Sequence, residues 1–162
     1  MKILYANEEC ENIEDYYSVF LAGPSVRDAE TKSWRPELIQ LLENNYYIRT
    51  DNLLLLIPEP RSGEWLDQYF EQLEWEQKYL ELADLLLFWV PRELKHMPAF
   101  TTNIEFGMYI MNTDKDLIYG RPDSSPKNKY LDYCYDKFRD AKPFNNLKDL
   151  STQVLGKYIT YK

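Results

Sequence analysis

Histidine occurs once in the 162 residues, at His96, and cysteine twice, at Cys10 and Cys134. One histidine excludes a histidine-built metal site and a two-histidine proton relay. Two cysteines without metal-type spacing are too few for a disulfide framework. Glycine is scarce, with five residues, and none falls into a GxGxxG fingerprint or a Walker loop ending in Gly-Lys-Ser/Thr. No apolar run approaches the ~18–20 residues that a membrane span needs. The opening segment Met1–Glu9 lacks the apolar centre of a signal peptide. Cations are the minority charge, 19 against 27 anions, for a net charge of −8. A chain with that balance repels a phosphate backbone unless its cations cluster, so nucleic acid is not an expected partner. These absences point to a soluble acidic protein in the cytoplasm, a single domain over 1–162, with no membrane and no nucleic acid among its partners.

What is present suffices for a core. Hydrophobic residues make up 44% and aromatic residues 15% of the chain, which excludes wholesale disorder. No repeat or low-complexity tract interrupts it. Tyr17–Ala22 is an apolar, β-rich run ended by Gly23-Pro24, and it reads as a buried strand and a turn. From Trp34 to Glu43 the spacing of Leu38, Leu41 and Leu42 predicts a helix, with Ser33 placed to cap it and Pro36 in its first turn. Tyr46-Tyr47-Ile48 and Asn52–Ile57 read as extended, the second stopped by Pro58 and Pro60.

The clearest helical period runs from Glu64 to Ala83, with Leu66, Tyr69, Phe70, Leu73 and Leu80 on one stripe. Asp84–Val90 is almost continuously apolar and halts at Pro91, as expected of a strand covered on both faces of a parallel sheet. A polar loop then leads to a helix over Thr102–Met111, a short strand Leu117–Tyr119 ended by Gly120, and helices near Asn128–Phe138 and Leu147–Tyr158. This alternation predicts an α/β sandwich with a mostly parallel sheet. Such sheets hold ligands at the carboxyl ends of their strands, which singles out the loops Gly23–Asp28, Pro91–Thr102 and Gly120–Lys129.

Each loop carries candidate chemistry beside a structural alternative. Gly23, with Pro24, makes a small backbone corner where a ligand can approach the main chain, and Ser25 can donate to a phosphate or hydroxyl; a plain turn explains the same residues. Thr102 and Glu105 have capping-box spacing and would satisfy each other's backbone donors. Alternatively, Glu105 points into the cleft beside Gly23. A carboxylate in the first turn of a helix stays ionised there and can serve as a nucleophile at a sugar anomeric carbon. Glu76 lies on the margin of the long helix's apolar stripe, either at the core's edge or facing the cleft, where it could protonate a leaving base. Asp84 reads as an acceptor for nearby backbone N–H groups. Arg121, helped by Lys127 and Lys129, could bind a phosphate or could simply be solvated. His96 reads as a surface residue. The four tryptophans read as core, with Trp89, at the carboxyl end of its strand, the candidate for stacking on a base.

Four motifs then occur in order: Phe20-Leu-Ala-Gly-Pro24; Trp75-Glu76 followed by Leu82-Ala-Asp84-Leu-Leu-Leu-Phe-Trp-Val-Pro91; Thr101-Thr-Asn-Ile-Glu-Phe-Gly107; and Tyr119-Gly-Arg-Pro-Asp123. Together, over about Val19 to Leu131, they resemble the nucleoside 2-deoxyribosyltransferase-like proteins. The resemblance implies a flavodoxin-like three-layer α/β sandwich. It also implies cleavage or exchange of the N-glycosidic bond of a (deoxy)nucleoside or nucleotide, with no metal and no cofactor. Carried onto this chain, it makes Glu105 the nucleophile and Glu76 the base-contacting acid. Gly23 with Pro24 and Ser25 would line the sugar pocket, Asn103 would belong to the binding motif, and Asp84 would be structural. Phe20 stands where several members carry a tyrosine that orients the nucleophile, so that hydroxyl is either absent here or comes from elsewhere, with Tyr17 as a candidate source. Glu76 stands where classical transferases have aspartate. A homodimer or larger homo-oligomer is implied too. Two neighbouring readings stay open: a hydrolase acting on a nucleoside 5′-monophosphate, and a non-catalytic nucleotide-binding module on the same fold.

Overall fold

The computed structural model describes residues 1–26, 31–63 and 69–161. Its centre is a sheet of five parallel strands: β1 (Lys2–Tyr5), β2 (Tyr17–Ala22), β3 (Leu53–Ile57), β4 (Leu85–Trp89) and β5 (Asp116–Gly120). They lie in the order β1-β3-β2-β4-β5. Every side chain of β2, β3 and β4 is buried, so these strands read as unbroken apolar runs because both faces of the sheet are covered. The strand β1 escapes a periodicity reading because it has only four residues, of which Leu4 alone is buried. As an edge strand it pairs only with β3, from Lys2 opposite Leu54 to Tyr5 opposite Ile57.

Five helices cover the sheet among the described residues: α1 (Arg35–Glu43), α2 (Tyr69–Leu82), α3 (Phe100–Tyr109), α4 (Lys129–Arg139) and α5 (Leu147–Tyr161). One face packs Leu38 and Leu42 of α1 with Leu150, Val154 and Tyr158 of α5 onto Val19, Leu21, Leu55 and Leu87. The other packs Trp75, Tyr79 and Leu80 of α2, Phe106 of α3 and Leu131 and Tyr135 of α4 onto Phe20, Leu56, Phe88 and Tyr119. Each such side chain taken from water contributes about 1.5–3 kcal/mol. The result is the flavodoxin-like three-layer sandwich, with a sheet that is parallel throughout.

Several local expectations are corrected. Tyr46 and Tyr47 lie in a turn and are 90% and 98% exposed, not extended. Aromatic content there suggests a strand, but nothing covers it. Residues 64–68 of the long helical pattern lie outside the described residues, Leu66 and Trp65 among them. Within α2 the buried stripe runs through Trp75, Tyr79 and Leu80, and Phe70 is 78% exposed. Trp34 stands at the α1 boundary, while Ser33 Oγ accepts the Arg35 N–H at 3.3 Å. The third helix begins at Phe100, two residues earlier than expected, because Ala99 takes up a left-handed conformation (φ 61°) after Pro98 and turns the chain into it.

Chain order sets the position of the site. The crossover from β2 to β3 carries α1 on one face, and the crossover from β3 to β4 carries α2 on the other. The strand order therefore reverses on either side of β2. The carboxyl ends of β2 and β4 diverge into loops there, which is where an open parallel sheet leaves room for a ligand.

Candidate active site

A cavity of about 370 Å³ opens at that point, within the size range of small-molecule sites. The turn after β2 supplies Gly23, Pro24 and Ser25, and the end of β3 supplies Pro58. One wall is α2, through Gln72, Leu73 and Glu76. The other is the segment from His96 to Ala99 with Phe100, Thr101, Thr102 and Glu105 of α3. Two carboxylates from different helices thus share one pocket whose remaining walls are largely apolar.

The corner at Gly23 has an internal cause. Its φ is +147°, and a Cβ there would stand 2.2 Å from the Trp89 carbonyl oxygen and 3.0 Å from Trp34 Cζ2. Only glycine lets the ends of β2 and β4 close to this degree. The sequence suggested that glycine serves ligand approach; the closest demand comes from the neighbouring strand. Ser25 Oγ lies 3.5 Å from the Pro58 carbonyl, which ties the β2 turn to the end of β3.

Glu105 lies in the second turn of α3, and its capping-box partnership with Thr102 is overturned. The residue at the helix boundary is Ala99, which has no capping side chain. The expectation that the helix terminus keeps Glu105 ionised is overturned with it. Burial above all, and then the charge of Glu76, push its carboxyl up to about 7 against the opposing pull of Arg35. Glu76 is half-buried and accepts a hydrogen bond from Gln72 Nε2 at 2.8 Å.

His96, expected at the surface, is half-buried and lines the cavity. Its segment folds back through an antiparallel bridge between Glu93 and Met97. The carboxylate of Glu93 accepts the backbone N–H groups of Lys95 and His96, and the first of these does most to lower its pKa.

Three candidates do not line the cavity. Trp89 is core, 4% exposed, with only its carbonyl brought close to Gly23. Asn103 faces Arg92, accepting from Nη2 at 2.6 Å, and Arg92 Nε also donates to Asn128. Arg121 is committed to Asp132, with Nη2 at 2.8 Å, and to Asp123. Lys127 and Lys129 are exposed. Tyr17 cannot supply an orienting hydroxyl. It opens β2 at the opposite end of the strand from Gly23 and packs against Tyr158 and Tyr161. Asp84 is structural as expected, its Oδ2 accepting the N–H and Oγ–H of Ser18, both at 2.7 Å.

The residues that sequence reasoning passed over are Arg35, Arg92, Gln72 and the cavity-lining stretch Met97–Ala99. Arg35 is fully buried and bonded to the turn that floors the cavity. Only the unusual placement of an arginine at the start of an apolar helix hinted at it.

A family model described as nucleoside 2-deoxyribosyltransferase like matches residues 16–124, more than half of the chain. No curated protein matches it significantly. The matched span contains every described segment that lines the cavity: the turns after β2 and β3, α2, the loop 96–99 and α3. The chain belongs to the nucleoside 2-deoxyribosyltransferase-like family.

Proposed function

We propose that this protein is an enzyme that breaks, and can remake, the N-glycosidic bond of a (deoxy)nucleoside, with Glu105 as nucleophile. The observation that carries this reading is the convergence of Glu105 and Glu76 on one cavity, with Glu105 shifted to about 7. In the first half-reaction the one proton held by the coupled pair sits on Glu76, and the ionised Glu105 oxygen attacks C1′. The C1′–N bond breaks with its electron pair leaving on the base, and Glu76 delivers a proton to that base. In the second, the nitrogen of another base or a water oxygen attacks C1′ and gives up its proton to the Glu76 carboxylate, while the C1′–O bond of the ester breaks and returns its electron pair to Glu105. A carboxylate with a raised pKa is a stronger nucleophile than an ordinary one and is still substantially ionised at neutral pH. The apolar walls at Leu73, Pro98 and Phe100 suit a heterocycle.

A second copy of the chain remains the expected partner. The outer face of α3 supports it, since Phe100, Ile104 and Met108 are more than half exposed there, next to the cavity mouth. No described helix is long and apolar enough to cross a membrane.

The test is to incubate the purified protein with deoxynucleosides and a free base, and to follow base release and exchange. Glu105→Ala is expected to lower turnover by about 10³-fold or more with the fold retained. Undiminished turnover in that variant would remove Glu105 from the chemistry. Binding of a nucleotide with no base release from any substrate would favour the non-catalytic module.

A further inference from the structure

Arg35 is 1% exposed, an interior guanidinium at the first residue of α1. Its Nε and Nη2 donate to the Leu21 carbonyl at 3.1 and 2.9 Å, and Nη2 also donates to the Gly23 carbonyl at 3.0 Å. Nη1 donates to the Pro24 carbonyl at 3.5 Å and to Glu59 Oε1 at 2.6 Å. The guanidinium also lies over the Trp34 ring, 4.7 Å from its centroid. Burying a cation costs several kcal/mol unless it is paired and fully bonded. Here a single carboxylate pairs with it, and the remaining N–H groups go to backbone carbonyls of the turn that lines the cavity.

We propose that Arg35 is the positioning residue of this site: it holds the Leu21–Pro24 backbone as the cavity floor and supplies the fixed buried positive charge that keeps Glu105 available as an anion. The proposal rests on the reading of Glu105 as nucleophile. Its electrostatic half adds to the geometry. Burial and Glu76 both work against ionisation of Glu105, and Arg35 is the group that opposes them. Among the described residues, the other polar or titratable groups lining the cavity with Glu105 are Ser25, Gln72, His96, Thr101 and Thr102; Tyr109 on α3 also feels its charge, and Glu59 pairs with Arg35. The other buried arginine among the described residues, Arg92, is turned to Asn103 and Asn128.

The experiment titrates the Glu105 carboxyl directly by carbon-detected NMR, its resonance assigned by its loss in Glu105→Gln. This readout does not require activity, so absence of turnover defeats the proposed reaction without touching the result here. Arg35→Met is expected to move the Glu105 midpoint upward by roughly half a unit or more, and Arg35→Lys, which keeps the charge, to leave it in place. The acid limb of kcat/KM should follow the same pattern. If Arg35→Met fails to fold because Glu59 is orphaned, the double variant Arg35→Met with Glu59→Gln removes both charges. Its midpoint should then lie above that of Glu59→Gln alone. A midpoint unmoved by the loss of the guanidinium, in either background, overturns the proposal and leaves Arg35 a structural residue.

Discussion

Glu76 on α2 and Glu105 on α3 open onto the same cavity, and the charge of Glu76 adds to burial in holding the Glu105 carboxyl near 7. Two acids so placed cannot ionise independently, because each negative charge raises the free energy of the other. In the proposed reaction the two take separate roles: one carboxyl attacks and the other delivers a proton.

That separation is testable by neutralising Glu76. Glu76→Gln removes the like charge, so Glu105 ionises at lower pH and the acid limb of kcat/KM moves down. The leaving base loses its proton donor at the same time, and kcat is expected to fall by about 10²- to 10⁴-fold. A pH–rate series on both proteins reads the two effects together. A lower rate with an unmoved limb would show that the two carboxylates are not coupled.

Stability carries a second signature of the same shift. Glu105 has a folded-state value of about 7 against an ordinary 4.5, so the native chain holds its proton after the unfolded chain has lost it. Stability from this group is therefore full below about pH 4.5, falls as pH rises toward 7, and stays lost above it. Glu105→Gln does not titrate. It should be more stable than the parent at pH 8, by on the order of 2 kcal/mol, and little different at pH 4. Urea unfolding at the two pH values measures this, and an equal difference at both would exclude burial as the origin of the shift.

The apolar strands were legible because burial on both faces leaves Leu53–Ile57 and Leu85–Trp89 as uninterrupted runs, and the cavity's position follows from strand order alone. What escaped depends on contacts distant in sequence. The polar loop that carries His96 gives no sign that it folds back over the cavity, because the Glu93–Met97 bridge and the left-handed Ala99 are not written in periodicity. The pairing of Thr102 with Glu105 misled for the same reason: a helix boundary set by Ala99 moves a residue from the first turn to the second. Arg121 drew attention as a free cation near a strand end, whereas its partner Asp132 lies eleven residues on, in α4.

Gly23 and Gly107 should respond oppositely to the same substitution. A Cβ at Gly23 meets the Trp89 carbonyl oxygen at 2.2 Å in a backbone conformation with φ +147°, so Gly23→Ala must part the ends of β2 and β4. The expected loss is about 3 kcal/mol, with a raised KM because the cavity floor moves. A Cβ at Gly107 meets nothing within 4 Å, inside helix α3. Gly107→Ala is expected to gain up to about 1 kcal/mol from helix propensity. Thermal unfolding of the two variants checks the sign of each.

Arg121 supplies the final test, because its commitment to Asp132 removes it from the cavity. Its Nε and Nη2 both reach that carboxylate, which also accepts the Tyr119 hydroxyl at 3.0 Å. The pair is 20% and 23% exposed, more sheltered than a surface salt bridge. Arg121→Ala should therefore lower stability by about 1 kcal/mol or somewhat more, since it leaves Asp132 without its ion partner. The KM for a nucleoside, and for the corresponding 5′-monophosphate, should stay as in the parent. A KM raised for the monophosphate alone would put Arg121 back among the phosphate-binding groups and require its side chain to leave Asp132 when substrate binds.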